Sequence, residues 1–348
     1  MSSRKVRIAV IGSGKMATIH AGNISRSPGA CLAAVAGGSG AAALATAYGS
    51  TSMDVHEAFE RPDIDAVVIA SPNRFHAEHI VQAVAGGKAV LVEKPVDLDL
   101  ERVDGCIAAV GDSIDRVVVA FNRRFDPSFA AVRRRVLAGE IGDVEQLLII
   151  SRDPAPPPLE YVPGSGGLFR DMMIHDLDMA RFLVAGEFAS VQASIQQTNP
   201  ELTALGDASG AVVTLAAANG ALVTILNSRS NASGYDQRLE AAGPLGTLAV
   251  TNATGTLVRG SCRDGTNAGD SFVPHYGDRY EAAYREEIEH LVSVARGGEK
   301  PIASLHDGRA ALALALAAAE SAAAGTRVPT PADHRFLTLP APHSDARY

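Results

Sequence analysis

Three polar residues, Lys94, Asp171 and His175, have side chains of the types that proton-coupled chemistry requires. Asp171 and His175 are four residues apart, so a helix would carry both on one face. A histidine can take a hydroxyl proton near neutral pH, whereas a lysine supplies positive charge beside a developing alkoxide. The three residues could therefore assist removal of hydride from an alcohol carbon, provided that the fold brings them to one substrate.

Each of these residues also has an ordinary structural interpretation. An isolated lysine at the end of a strand is usually solvated. An Asp-x-x-x-His pair is more often an acid near a helix N-terminus followed by a hydrogen-bonded histidine. Asp176 next to His175 would suit a metal ion, but the sequence supplies too few further ligands nearby, so we predict no metal site.

A second chemical signal lies near the start of the chain, where residues 12–17 read GSGKMA. This segment matches G-x-G-x-x-A, directly after an apolar run and at the start of a predicted helix. The glycines permit a tight turn and a close approach to a pyrophosphate, whose charge meets the helix N-terminus. We therefore predict a dinucleotide site that includes Gly12, Gly14, Lys15 and Met16; an ordinary glycine-rich turn is the alternative.

The end of the second predicted strand departs from the usual dinucleotide pattern. An acidic residue there would bind the ribose 2′-hydroxyl of NAD. Residues 36–40 instead read AGGSG, and no arginine follows for a 2′-phosphate. Hydroxyl and backbone N–H groups around Gly37 and Ser39 could serve either cofactor, so NAD and NADP both stay open.

The first ~120 residues alternate between strand and helix patterns, which predicts a doubly wound parallel sheet. The runs of apolar residues are nearly continuous, as in strands that are buried on both faces. We assign residues 1–122 to this dinucleotide-binding domain. Strands are predicted at 6–11, 31–36, 66–70, 89–92 and 117–120, and helices at 15–26, 41–48, 76–85 and 100–110.

Strand patterns dominate after residue 144 and follow one another without intervening helices, which predicts an antiparallel sheet. We assign residues 123–330 to this second α/β domain, in which Asp171 and His175 would meet the substrate, and residues 331–348 to a C-terminal tail. The predicted helices of this region span 128–138, 169–183, 278–296 and 307–324.

Composition excludes several classes of protein. Of 348 residues, 47% are hydrophobic and 20% are charged, which is too apolar for a disordered chain. The formal net charge of −8 argues against general attraction to nucleic acid or to anionic membranes. Three distant cysteines form no disulfide framework, and no apolar segment reaches about 20 residues. We expect a cytoplasmic protein with a small-molecule substrate.

Several segments occur in a fixed order along the chain: GSGKMA, DAVVIASPNRFHAEHI, GKAVLVEKPVDLDL, FNRRFDPSF, GGLFRDMMIHDLDMARFL, GYDQRLE and DRYEAAYREEIEHLV. This ordered set resembles the Gfo/Idh/MocA oxidoreductases, and among them the inositol 2-dehydrogenases. The resemblance extends to about Val328. It implies an N-terminal Rossmann domain and a C-terminal α/β domain whose large, open, mainly antiparallel sheet often builds a homotetramer or a dimer.

The resemblance also implies roles for individual residues. Lys94 of the Glu-Lys-Pro motif would polarise the reacting hydroxyl, and the Lys94-Pro95 bond is expected to be cis. His175 would be the general base, and Asp171 would position the lysine and the hydroxyl. Asp178 and Tyr235 would contact ring hydroxyls, although a buried core tyrosine is the alternative for Tyr235.

Further cofactor contacts are expected in the loops that follow two later strands of the Rossmann domain. The residues concerned are Ser71, Asn73, His76, Glu93 and Lys94. Arg123 and Arg124 of the FNRRF segment could face the site or a subunit surface, and we interpret them as a salt-bridged surface pair.

We therefore expect a dehydrogenase that passes hydride from a cyclic polyol to NAD or NADP, with NAD favoured by the resemblance. The expected substrate is myo-inositol, oxidised at C2, or a close isomer. An aldose or anhydrosugar dehydrogenase, an NAD-dependent glycosidase and a non-catalytic nucleotide sensor are the alternatives. The presence of Lys94, Asp171 and His175 together argues against the sensor, which needs no set of proton-transfer residues.

Overall fold

A computed structural model describes residues 4–184, 186–263 and 265–330, so the predicted tail at 331–348 lies outside the described residues. The described residues form two compact units. The first comprises 4–127, 164–166 and 276–312, and the second comprises 128–163, 167–275 and 313–330. Residues 276–312 thus pack in the first unit, whereas the sequence pattern indicates a single boundary, at residue 122. The pattern identifies helices but does not show on which sheet a late helix packs.

The first unit is built on a six-stranded sheet in which every pair is parallel, in the order β3-β2-β1-β4-β5-β6. β4, β5 and β6 are buried along their whole length. The strand order reverses beside β1, and ligands bind at such a reversal in open α/β sheets. The strands are β1 (Val6–Ile11), β2 (Ala30–Ala36), β3 (Thr51–Met53), β4 (Ala66–Ile69), β5 (Ala89–Val92) and β6 (Val117–Val119).

Five helices connect these strands: α1 (Lys15–Arg26), α2 (Ala41–Ala47), α3 (Val55–Glu60), α4 (His76–Ala85) and α5 (Leu100–Val110). The side chains of Asp54 and Asp99 cap α3 and α5 by accepting backbone N–H groups. The sequence analysis missed β3 and α3, because a three-residue strand followed by a six-residue helix shows almost no periodicity.

The second unit contains a seven-stranded sheet in the order β12-β11-β7-β10-β9-β8-β15. Only the β7–β10 pair is parallel, which confirms the predicted, mainly antiparallel sheet. Its strands are β7 (Gln146–Arg152), β8 (Phe188–Gln196), β9 (Gly210–Ala217), β10 (Leu222–Ser228), β11 (Asp236–Gly243), β12 (Gly246–Val250) and β15 (Val328–Pro329). A separate hairpin pairs β13 (Arg259–Cys262) with β14 (Gly265–Gly269).

Helices of the middle region are α6 (Pro127–Leu137), α7 (Val162–Ser165), α8 (Ile174–Val184) and α9 (Pro200–Ala204). The predicted helix over 169–183 is a π-helical turn, Phe169–Met173, that continues into α8. A π turn is bonded between residues i and i+5, is rare, and occurs frequently at functional sites. Side chains on the π turn therefore point in a different direction relative to those on α8 than they would in one continuous α-helix.

The last three helices of the described residues are α10 (Tyr276–Arg279), α11 (Glu281–Ala295) and α12 (Leu305–Ala324). The predicted helix over 278–296 is thus interrupted at Tyr280, and α11 packs on α1 and β5 within the first unit. None of the helices described is long and apolar enough to cross a bilayer.

The interpretation of Arg123 and Arg124 as a surface pair is wrong. Both residues are buried. Arg124 places Nη2 3.0 Å from the Asp307 carboxylate and donates from Nη1 to the backbone oxygen of Ile302 at 2.6 Å. Burial is tolerated here because the guanidinium has both an opposite charge and a hydrogen-bond acceptor.

Candidate active site

The nucleotide motif forms a turn at which three strand ends meet. The Gly12 N–H donates to the oxygen of Ala36, the last residue of β2, over 2.7 Å, and Gly12 has a φ of +121°. A Cβ at this position would collide with the carbonyl oxygen of Ala70, which follows β4. Only glycine therefore fits at Gly12, since its backbone lies against both neighbouring strands.

The start of α1 is suited to an anionic ligand. Gly14 precedes the helix, and Lys15 and Met16 open it, but no side chain caps the first N–H groups and no acid lies in the first turn. A Cβ at Gly14 would meet nothing within 4 Å, so a ligand can approach this backbone closely. The amides of the first helical turn are donors that a pyrophosphate would accept. These residues fit the pyrophosphate of a dinucleotide.

The loop after β2 carries a glycine where the usual dinucleotide pattern places an acidic residue nearby. Gly37 has a φ of +79°, and a Cβ there would lie 2.9 Å from Cγ2 of Val55. Ser39 is exposed, and the Ser13 hydroxyl accepts the N–H of Gly40 at 3.2 Å. A side chain at position 37 would therefore be strained and would crowd Val55.

The loops after β4 and β5 are joined by His76, the first residue of α4. Its Nδ1 lies 2.8 Å from the oxygen of Pro95, and its Nε2 lies 2.7 Å from the oxygen of Ser71. Burial lowers the pKa of His76. Both ring nitrogens lie against backbone carbonyls, and the neutral imidazole donates its single N–H to one of them, so His76 packs between the two loops. The cofactor contact predicted for His76 stays a prediction.

The remaining residues predicted at this edge of the sheet follow the same two strands. Ser71 places its hydroxyl 3.1 Å from Nδ1 of His79, and half-buried Asn73 begins a short 3₁₀ turn. Lys94 is half-buried, and the peptide bond from Lys94 to Pro95 is cis, as expected. The first unit therefore brings the cofactor residues predicted from the sequence to the carboxyl ends of its strands.

Glu93, directly before Lys94, belongs to a buried cluster that the sequence analysis missed. His20 of α1 is fully buried and places Nε2 2.7 Å from the Glu93 carboxylate. Glu287 of α11 is also fully buried, and neither of its oxygens has a hydrogen-bond partner among the described residues. Burial, with the nearby charge of Glu93, raises the pKa of Glu287 well above its ordinary value. Glu93 thus anchors the end of β5 from inside the unit.

The second unit carries the predicted acid and base. Asp171 lies in the π turn, and His175 lies in the first turn of α8; both are half-buried. The Tyr161 hydroxyl donates to Oδ1 of Asp171 at 3.1 Å. Asp178 on α8 and Tyr235 before β11 are buried, and their contact with a substrate stays a prediction.

Asp176, next to His175, fixes α8 on the sheet. It is fully buried and accepts the Ser151 hydroxyl at 2.6 Å and the Asn227 amide at 2.9 Å, one on each carboxylate oxygen. The Ser151 hydroxyl also lies 3.1 Å from Oε1 of Gln237. Side chains of β7, β10 and β11 therefore hold the helix that carries His175. The residues described contain no group of three or more potential metal ligands arranged around one point.

Lys94 lies in the first unit and the Asp171–His175 pair in the second. Each half of the predicted site is thus assembled by its own unit. The sequence analysis considered Asp176 only as a metal ligand and missed His20 and Glu287. The last two had one weak signal in the sequence, a polar side chain within an otherwise apolar helix face.

Comparison with known proteins identifies the family. Residues 6–121 match the model described as "Oxidoreductase family, NAD-binding Rossmann fold", and residues 129–249 match the "GFO/IDH/MocA C-terminal domain". The chain belongs to the GFO/IDH/MocA oxidoreductase family. This confirms the resemblance, the fold class and the oxidoreductase class that the ordered motifs predicted.

Individual relatives extend over nearly the whole chain. An inositol 2-dehydrogenase of Rhizobium meliloti is 41% identical over 321 residues, which cover 91% of this chain and 97% of the relative. The crystal structure of a myo-inositol dehydrogenase from Corynebacterium glutamicum has a TM-score of 0.90 and 44% identity, covering 94% of this chain and 100% of that chain. The scyllo-inositol dehydrogenase of Lactobacillus casei, solved with NAD(H) and scyllo-inositol, has a TM-score of 0.87 and 26% identity, covering 94% and 99%.

The crowding at Gly12 gives the first testable prediction. Gly12→Ala should lower the free energy of unfolding by about 1–3 kcal/mol and abolish NAD(H) binding, because the turn cannot keep its conformation. Gly14→Ala is the matched control. It should leave the unfolding free energy unchanged and weaken NAD(H) binding, since its methyl group meets only the ligand. Urea unfolding and NADH fluorescence titration measure the two effects; equal stability of the two variants would contradict this description of the turn.

The buried Glu287 carboxyl gives the second prediction. The pKa of Glu287 is raised in the folded state. Above the ordinary pKa of 4.5, the unfolded chain therefore releases a proton that the folded state still binds. The free energy of unfolding consequently falls as the pH rises from 4.5 towards the raised pKa. Glu287→Gln has no such proton, so its stability advantage over the parent should grow from about pH 5 to about pH 9. Urea unfolding across this range measures it, and Glu286→Gln on the same helix is the control. Parallel pH curves for the parent and Glu287→Gln would show that the carboxyl is not protonated in the fold.

Proposed function

We propose that this chain is a dehydrogenase that transfers hydride from a secondary hydroxyl of a cyclic polyol to NAD or NADP. The expected substrate is myo-inositol, oxidised at C2 to the 2-keto product, or a close isomer. The observation that carries the proposal is the presence of Lys94, Asp171 and His175 in a chain 41% identical to an inositol 2-dehydrogenase over nearly its whole length. The glycine turn at Gly12, which fits a pyrophosphate, supports the cofactor.

In this proposal His175 accepts the proton of the reacting hydroxyl as general base. The Lys94 ammonium stabilises the negative charge that develops on the substrate oxygen as the proton leaves. Asp171 orients the hydroxyl and the lysine, and Asp178 and Tyr235 bind other ring hydroxyls. The dinucleotide supplies the hydride acceptor. Its pyrophosphate would lie at Gly12, Gly14, Lys15 and Met16, its adenosine ribose near Gly37 and Ser39, and its nicotinamide ribose near Ser71 and Asn73.

Selectivity among polyols follows from the polar residues proposed to bind the ring. A ring hydroxyl that is missing or inverted leaves a buried polar partner unpaired, which costs free energy in the transition state. We therefore expect clear discrimination between epimers. The relatives described above include both myo- and scyllo-inositol dehydrogenases, so both isomers are candidate substrates.

A spectrophotometric panel tests the proposal. Purified protein is assayed for reduced-cofactor formation with myo-inositol, scyllo-inositol, other isomers and aldoses, each with NAD and with NADP. We expect one inositol to give the highest kcat/KM. A higher kcat/KM with an aldose or anhydrosugar would favour the sugar dehydrogenase of the same family. No reduction with any substrate, together with tight dinucleotide binding, would favour the nucleotide sensor and refute the proposal.

Two variants test the assigned roles with the best substrate of that panel. His175→Gln should lower kcat by about 10²–10⁴-fold, the usual contribution of a general base. Lys94→Met should lower kcat by about 10²–10³-fold. Both should keep their fold, as judged by circular dichroism. His56→Gln, an exposed histidine on α3, is the control and should keep parental activity. Activity of either site variant near that of the control would remove its residue from the mechanism.

We also propose that the chain is a homo-oligomer, a tetramer or a dimer, that assembles through the outer face of the seven-stranded sheet. Exposed Val212 and Leu222, with half-buried Leu148, Ile150 and Leu226, line that face in the second unit. Exposed apolar side chains grouped on one face are typical of a protein interface. The free thiols of Cys31 and Cys106 suit the reducing cytoplasm, which is the proposed compartment.

The oligomer has its own test. Light scattering coupled to size-exclusion chromatography should give a mass of two or four chains for the parent. Val212→Lys should reduce the mass or make it dependent on concentration, because the charge would be buried against a second copy. A monomeric parent would refute the assembly without bearing on the reaction.

A further inference from the structure

Arg229 is a buried cation that the proposed reaction does not use. It directly follows β10, its side chain is 2% exposed, and its backbone N–H donates to the oxygen of Ser209 over 2.8 Å. A guanidinium that is removed from water this completely must have negative partners close by. The carboxylates close to Arg229 therefore indicate which segments of the fold it stabilises.

Two carboxylates share this guanidinium. Nη2 of Arg229 lies 2.9 Å from Oδ2 of Asp207, and Nη1 lies 3.9 Å from Oδ2 of Asp171. Asp207 is itself buried, whereas the Asp171 side chain is 14% exposed. Buried Arg229 thus lies within ion-pair distance of Asp171, the residue that is proposed to take part in the reaction.

Asp207 connects the same guanidinium to the backbone of the π turn. Its Oδ1 accepts the N–H of Leu168 at 2.7 Å, and Leu168 is the residue before the turn Phe169–Met173. One carboxylate–guanidinium pair therefore holds the start of the turn, and the same guanidinium faces Asp171 three residues later. Because a π turn is rare and less favoured than a regular helix, contacts outside the turn must keep it in place.

The second oxygen of Asp171 has a different partner. Oδ1 accepts the Tyr161 hydroxyl at 3.1 Å, while Oδ2 faces Arg229. The Tyr161 hydroxyl directs one oxygen of Asp171 through a hydrogen bond, whereas the ion pair with Arg229, at 3.9 Å, is too long for a hydrogen bond and attracts the other oxygen by charge. Arg229 and Tyr161 therefore act on different oxygens of this carboxylate.

We propose that Arg229 is a positioning residue for the reaction, which acts by holding Asp171 through their ion pair and by holding the π turn through Asp207. The role given to Asp171 in this inference rests on the proposed function. The role of Arg229 in holding the π turn rests only on its contact with Asp207 and on the hydrogen bond from Leu168 to Asp207.

The test compares three variants of the full chain. Arg229→Met removes the charge but keeps most of the volume, and it leaves Asp207 buried without its partner, which is destabilising. The double variant Arg229→Met with Asp207→Asn removes both charges, while the amide oxygen that it introduces at position 207 can still accept the Leu168 N–H. Arg229→Lys keeps the charge without the planar, forked donor set.

We expect Arg229→Met to lower kcat at least tenfold without changing KM for the dinucleotide, and to lower the melting temperature. The double variant should recover the melting temperature but not kcat, because Asp171 still lacks its ion pair with Arg229. Arg229→Lys should recover part of kcat. If kcat returned together with the melting temperature in the double variant, the role of Arg229 would be structural only and the proposal would be overturned.

Hydrogen exchange of the backbone amides of residues 168–173, measured by mass spectrometry in the same variants, needs no substrate. We expect faster exchange in Arg229→Met and in the double variant than in the parent, with Arg229→Lys intermediate. Unchanged exchange would overturn the holding of the turn even if the enzyme is active. Faster exchange in a chain that oxidises no polyol would support the anchor and refute only the proposed function.

Discussion

Removing a charged side chain from water costs several kcal/mol unless a partner replaces the lost hydration. This chain buries charged groups next to the residues proposed to do its chemistry. Glu93 has His20, Arg229 has Asp207 and Asp176 has two neutral donors. Each pairing joins separate segments of the chain. The requirement for a partner therefore also helps to fix the end of β5 beside Glu93, the end of β10 beside Arg229 and the start of α8 near Asp176.

Glu287 is also buried, but it has no partner of this kind among the described residues. Its raised pKa means that the folded state avoids the charge by keeping the proton. The neutral carboxyl is tolerated near Glu93, where a second carboxylate would repel the first. Glu93 directly precedes Lys94, and His20 is its hydrogen-bond partner.

Local patterns in the sequence were sufficient for much of the fold. The parallel sheet followed from nearly continuous apolar runs, and the turn at Gly12 followed from its motif, because both depend on neighbours in the chain. The antiparallel sheet followed from successive strand patterns without intervening helices. The π turn, the break at Tyr280 and the packing of α11 on α1 were not predictable, since tertiary contacts decide them. The candidate site shows the same division.

Asp171 and His175 could be selected because their types and spacing have chemical meaning. The residues that hold them, Arg229 and Asp176, look like ordinary surface residues in a linear sequence, since their partners lie on other strands and loops. The burial of Arg124 was misjudged for the same reason, because Asp307 is distant in sequence.

The loop after β2 combines backbone geometry with a departure from the usual functional pattern. An acid near Gly37 would bind a ribose 2′-hydroxyl and repel a 2′-phosphate, but the positive φ and the nearby Val55 would strain and crowd a side chain at this position. Without that charge, a ribose bound at this loop, as proposed, would meet backbone N–H groups and hydroxyls such as that of exposed Ser39. Neutral donors of this kind can bind either a hydroxyl or a phosphate, so the choice between NAD and NADP depends on weaker differences than a full charge would impose. We therefore expect the absence of an acid to relax cofactor selectivity and to leave the proposed hydride chemistry unaffected.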